Sequence, residues 1–101
     1  MSSWLVYILR CADDTLYTGI TNRLPARLKT HNGAGGAKYT RTRRPVALVW
    51  STPCKSHGAA LSLEYAIKQL TRRQKLVLIV LTGSARKQMV NRLKSLAAGK
   101  A

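Results

Sequence analysis

The chain has 101 residues, the size of one small domain, and 46% of them are hydrophobic, enough to fold around a core rather than remain a disordered tail. Eighteen Lys and Arg stand against three acids, a formal net charge of +15. Charge of that density repels itself in a compact state and points to a polyanionic partner, either nucleic acid or an acidic membrane. With only Asp13, Asp14 and Glu64 as carboxylates, a multi-carboxylate metal cage is excluded, and a paired-carboxylate glycosidase is disfavoured.

Cys11 and Cys54 form no CxxC pair, and His31 and His57 do not complete a zinc-ligand spacing with them. Two reduced thiols in a cytoplasmic protein are expected. The first apolar run, residues 4–9, is too short for a signal segment and ends at Arg10. The longest, residues 76–81, falls far below the ~20 residues that span a bilayer.

Residues 4–10, WLVYILR, predict a strand. Ala12-Asp13-Asp14-Thr15 is turn-like, and residues 16–20, LYTGI, predict the returning strand of a hairpin. Gly19 within that strand marks a bulge or a close approach to the backbone. Asn22 is placed to cap a helix that carries Pro25 in its first turn and ends at Asn32-Gly33. Residues 33–45, Gly-rich and then basic, read as a loop. Residues 46–51, VALVWS, predict a third strand. Ser56 caps a helix through Leu70, Thr71 and Gln74 form a capping box for a helix to about Leu81, and Ser84 caps a last helix over residues 85–96. The order ββαβααα implies one α+β domain, a small three-stranded antiparallel or mixed sheet flanked by helices, with a core over about 4–82 and a C-terminal helix and tail over 84–101.

Several side chains are placed for chemistry. Tyr7 and Tyr17 lie mid-strand in the hairpin. A turn centred near residue 12 sets them opposite each other on one face, either as an ordinary aromatic pair covering the core or as candidate site residues. Arg27 and His31 are four residues apart on one helix face, either solvated or clamping phosphate, which a guanidinium meets bidentately. Glu64, the sole glutamate, precedes Lys68 by four residues. The pair is either a surface ion pair or a metal site, since Mg²⁺ needs only one or two carboxylates and completes its shell with water and phosphate oxygens. Lys38, Arg41, Arg43 and Arg44, with Tyr39 among them, can track a phosphate backbone while an aromatic ring stacks on a base. Arg72, Arg73 and Lys75 open a helix where the dipole prefers acids, a placement that costs stability and points to use.

Taken in order, these residues resemble the GIY-YIG nuclease superfamily. Leu5-Val6-Tyr7 corresponds to the first motif and Tyr17-Thr18-Gly19 to the second. Arg27 and His31 lie in Ala26-Arg27-Leu28-Lys29-Thr30-His31, and Glu64 lies in LSLEYAIKQLT. His31-Asn32-Gly33 and Gly36-Ala37-Lys38-Tyr39-Thr40 resemble the small stand-alone bacterial branch (YhbQ-like) and the nuclease domain of Slx-type endonucleases. The first motif has lost its glycine and isoleucine to Leu5 and Val6. The resemblance spans about residues 4–80.

What the resemblance implies is hydrolysis of nucleic-acid phosphodiester bonds with one Mg²⁺ or Mn²⁺, in DNA repair or processing. Glu64 would hold the metal, and Arg27 would neutralise charge on the phosphoryl oxygens. Tyr7 would act as general base, and Tyr17 would position the water. Gly19, His31 and Lys68 would support them. Lys38, Tyr39, Arg41, Arg43, Arg44, Arg72 and Arg73 would contact the strand. The expected partner is DNA, branched or single-stranded, with RNA also open, and with no membrane and no small-molecule cofactor. The expected form is a monomer or weak dimer in the cytoplasm. The alternatives are a non-catalytic nucleic-acid-binding module that keeps the fold, a basic ribosome-associated protein, and a membrane-surface protein. The last of these would use the helix over 85–96, whose Met89, Val90, Leu93 and Leu96 equally suit core packing.

Overall fold

The computed structural model describes residues 4–24, 26, 32 and 43–98. Three strands, β1 (Trp4–Arg10), β2 (Leu16–Thr21) and β3 (Ala47–Cys54), form one antiparallel sheet in the order β2-β1-β3. Three helices follow: α1 (His57–Lys68), α2 (Arg72–Val80) and α3 (Gly83–Ala98). This is the expected α+β architecture, with a sheet that is wholly antiparallel. Of the helix expected between β2 and β3, Leu24, Ala26 and Asn32 are helical, Arg23 is not, and residues 25 and 27–31 lie outside the described residues.

Period-2 alternation in β1 separates two faces. Val6 and Ile8 pack with Trp50, Ala60, Leu63, Ile67, Leu78, Val90 and Leu93. The C-terminal helix therefore shares the main core. Tyr7 and Leu9 turn the other way and pack with Cys11 and Val46, against Tyr17 and Leu24. The two free cysteines are buried in different clusters, Cys54 in the first and Cys11 in the second. Burial raises the Cys54 thiol pKa, which keeps it protonated and unreactive.

The helices start where their caps say they should. The Ser56 side chain accepts from Ala59 N at the head of α1, and Thr71 and Gln74 exchange both bonds of a capping box at the head of α2. Three expectations are corrected. β3 continues through Pro53 rather than stopping at Ser51, because β3 is an edge strand and an edge tolerates the missing N–H. α3 begins at Gly83, before the expected cap Ser84. Gly83 has φ +58°, and Arg86 N already donates to Thr82 O. Leu96, expected on the apolar side of that helix, is 59% exposed.

The segment that leads into β3 is fastened at three points. Ala12 N donates to Arg43 O at 2.9 Å. Arg43 Nε donates to Asp13 Oδ2 at 3.0 Å. The Asn32 side chain accepts from Val46 N at 2.7 Å and donates to Val46 O at 3.1 Å. An amide matched to both polar groups of one residue acts as a one-residue strand partner. It ties residue 32 to residue 46 and seats Val46 beneath the tyrosine face. Removing it leaves two backbone groups of a buried residue without their partner. Asn32→Ala is expected to cost about 1–3 kcal/mol in a denaturant titration, and an unchanged midpoint and slope would show that Val46 is held otherwise.

Candidate active site

The hairpin turn sets the positions of the tyrosines. Asp13 Oδ1 accepts from Thr15 N at 3.2 Å and from Thr15 Oγ1 at 2.6 Å, and Asp14 takes a left-handed conformation with φ 69°. The Thr15 hydroxyl holds the Asp13 carboxyl below the ordinary carboxylate range, and Arg43 adds to this. The reversal is thereby centred one residue later than expected. Tyr7 pairs with Gly19, and Tyr17 pairs with Leu9. The two tyrosines are thus diagonal rather than directly opposite. They still share a face, with ring centroids 6.4 Å apart and planes inclined at 44°.

Gly19 is what lets the Tyr7 ring lie flat across β2. A Cβ at residue 19 would stand 2.6 Å from Tyr7 Oη, 2.8 Å from Tyr7 Cζ and 3.1 Å from Tyr17 Cε2. The expected close approach is therefore that of a side chain within the fold. Tyr7 is 1% exposed, while Tyr17 is half-buried.

Glu64 belongs to α1, whose buried residues Ala60, Leu63, Ala66 and Ile67 press on the Val6–Ile8 face. Its side chain is 19% exposed and meets Lys68 Nζ at 3.4 Å. α1 contacts all three strands, including the edge strand β2 that carries Tyr17. The tyrosines thus lie on one face of the sheet, and the helix that carries Glu64 packs on the other and reaches β2. One partly shielded carboxylate suits a single hard cation that takes its remaining ligands from water and phosphate. No cluster of three or more metal-ligating side chains occurs among the described residues.

The remaining cations divide. Arg43 is paired with Asp13 at 3.0 Å, and Arg72 with Asp14 at 3.2 Å, where Arg10 also joins. Both sit at the hairpin turn with part of their charge compensated. Arg44 and Arg73 are exposed. Arg27, His31, Lys38, Tyr39 and Arg41 lie outside the described residues. Among the described residues, no helix is long and apolar enough to cross a membrane. In the sequence Asn32 reads only as a helix stop, because its use of Val46, 14 residues away, leaves no local pattern.

A tyrosine pair over a strand glycine, on a three-stranded antiparallel sheet backed by a helix with one lone glutamate, is the layout expected of a small nuclease catalytic domain. Residues 3–76 match the family described as the GIY-YIG catalytic domain. The chain belongs to that family, which is one of nucleases, and nucleic acid is the substrate class it implies. The chain is 51% identical over 78 residues to the UPF0213 protein of Desulfotalea psychrophila, covering 76% of this chain and 71% of the other. It is 57% identical over 74 residues to that of Clostridium perfringens, covering 73% and 80%. The solution NMR structure of the UPF0213 protein from Bacillus halodurans superposes with a TM-score of 0.52 at 43% identity, over 82% of this chain and 87% of that one. The UPF0213 names assign no activity.

Packing against Gly19 generates a test. Gly19→Ala forces the buried Tyr7 ring to move, at a cost of about 1–3 kcal/mol in stability. A distinct change in the near-ultraviolet circular dichroism of the tyrosines is expected with it. Unaltered stability and spectrum would mean that the ring has room to yield.

Proposed function

We propose that this protein is a divalent-metal-dependent endonuclease that hydrolyses phosphodiester bonds in DNA, in repair or processing. The observation that carries the reading is the Tyr7–Gly19–Tyr17 constellation across β1 and the edge strand β2, on a sheet backed by the helix that carries Glu64. Two buried free thiols agree with a reducing, cytoplasmic setting.

Glu64 would hold one Mg²⁺ or Mn²⁺. Bound there, the ion would supply positive charge to the scissile phosphate and the leaving oxygen. Lys68, which pairs with the carboxylate in the free protein, would release it and turn to the phosphate backbone. Tyr17, the more accessible of the two tyrosines, would orient the attacking water, and Tyr7 would take its proton. Arg27 would neutralise charge on the phosphoryl oxygens, with His31 orienting the phosphate. The new bond would join the water oxygen to phosphorus as the bond to one ester oxygen breaks, and that oxygen would take a proton from solvent water as it leaves. Lys38, Tyr39, Arg41, Arg43, Arg44, Arg72 and Arg73 would steer the strand, Arg43 and Arg72 after loosening their hairpin ion pairs.

Magnitudes allow a clean test. Burial of Leu63 and Ile67 holds α1 with about 1.5–3 kcal/mol each. The Glu64–Lys68 pair, whose lysine is half exposed, contributes at most a few tenths. Glu64→Ala should therefore leave the fold intact. With branched, duplex and single-stranded DNA in Mg²⁺, it is expected to lower cleavage at least about 100-fold while binding persists. Tyr7→Phe should likewise lose turnover and keep binding. Cleavage that survives in Glu64→Ala and still requires Mg²⁺ would sink the metal assignment.

A further inference from the structure

The distribution of charge shows a second surface. All three acids are engaged around the hairpin turn or on α1: Asp13 with Arg43, Asp14 with Arg10 and Arg72, and Glu64 with Lys68. None lies on β3 or α3. Yet α3 carries Arg86, Lys87, Arg92 and Lys94, and no carboxylate stands within ion-pair distance of any of them among the described residues.

Three of these cations converge. Between α3 and the outer strand β3 runs a groove of about 340 Å³ walled by Arg86, Lys87, Asn91, Lys94, Thr52 and Pro53. Lys94 also borders the next recess, about 230 Å³, which holds Lys55 and Ser62. The positively charged wall thus continues past the helix. Lys87, Asn91 and Lys94 follow an i, i+4, i+7 stripe. The two lysines are roughly 10 Å apart along the axis, about three nucleotides of a strand. Arg86 is already fixed. Its guanidinium lies 4.9 Å from the centroid of the buried Trp50 ring and donates to Ser51 O. A cation stacked and hydrogen-bonded in this way loses little further freedom on meeting an anion.

Clustered cations without counter-charge raise the energy of the free protein, and a polyanion relieves it. Pro53 lacks the N–H that a peptide would need to add a strand at this edge. The groove lies at the opposite edge of the sheet from β2, and all of α3 follows the end of the family match at residue 76.

We infer that this groove is a second binding site for the sugar-phosphate backbone of the nucleic acid, engaging a segment of the substrate away from the phosphate that is cut. The inference rests on the nucleic-acid reading given above. A strand held at both edges of the sheet is bent or branched around the domain, or is long enough to wrap it.

Fluorescence anisotropy tests the groove with labelled 30-nucleotide single-stranded and duplex DNA, in EDTA so that nothing is cut, at several salt concentrations. Lys87→Gln/Lys94→Gln is compared with Arg23→Gln/Arg92→Gln, which removes the same charge elsewhere, and thermal melts confirm that both variants fold. The groove variant is expected to bind at least about tenfold more weakly at 0.1 M salt, with a duplex salt slope shallower by about 1.8, while the control changes little. Equal weakening in both variants would reduce the effect to net charge and overturn the site. So would displacement of the DNA by polyglutamate at matched charge, which would mark the groove as one for acidic protein segments. Absence of binding by the unsubstituted protein would instead overturn the nucleic-acid reading, and the groove with it.

Discussion

The ring of Tyr7 lies across the backbone of Gly19, where a single methyl group would stand 2.6 Å from its hydroxyl. That contact exists only in one register of β1 on β2. A slip of one residue would turn Tyr7 to the face occupied by Val6 and Ile8, and a slip of two would put a side chain beneath the ring. The register is set in turn by the hairpin, where Asp13 bonds Thr15 and Asp14 takes a left-handed conformation. The acids at residues 13 and 14 thus act on the site from a distance. They also tie in Arg43 and Arg72, so the turn, the entry to β3 and the head of α2 are joined by one small charge network.

A three-stranded sheet has two faces and two edges, and this protein uses them differently. One face carries the apolar core under α1 and α3. The other carries the tyrosines, closed by Val46 through the Asn32 amide. β2, the edge strand that carries Tyr17 and Gly19, is also contacted by the glutamate helix. At the β3 edge lie the cations that no acid balances. The excess of positive charge is therefore divided. Part of it is neutralised at the turn, and part of it stays open along α3. The sheet between them is held by burial, which is worth far more than any of the ion pairs.

Much of this is legible in the residues themselves. Alternation marks β1 from Trp4 to Arg10, and Ser56 and the Thr71–Gln74 box mark the heads of α1 and α2, because these signals are local. The tyrosines, Gly19 and Glu64 stand out because residue type and order carry them. Three other features are not visible in this way. The register depends on a single left-handed residue, Asp14, which shifts the turn by one position. Pro53 reads as a strand end, and only its place at a sheet edge excuses it. The Asn32 clamp and the α3 groove join residues 14 and some 35–40 positions apart, and no window along the chain contains them.

The central claim is that Tyr17, Gly19 and Glu64, presented from opposite faces of the sheet, work as one site on one strand. NMR chemical shifts recorded as a short oligonucleotide is titrated into the protein in Ca²⁺ test it directly. The Tyr17 ring, the Gly19 amide and the Glu64 side chain are expected to shift together and to saturate along a single curve. A Glu64 resonance that responds while those of Tyr17 and Gly19 stay fixed would contradict a common site.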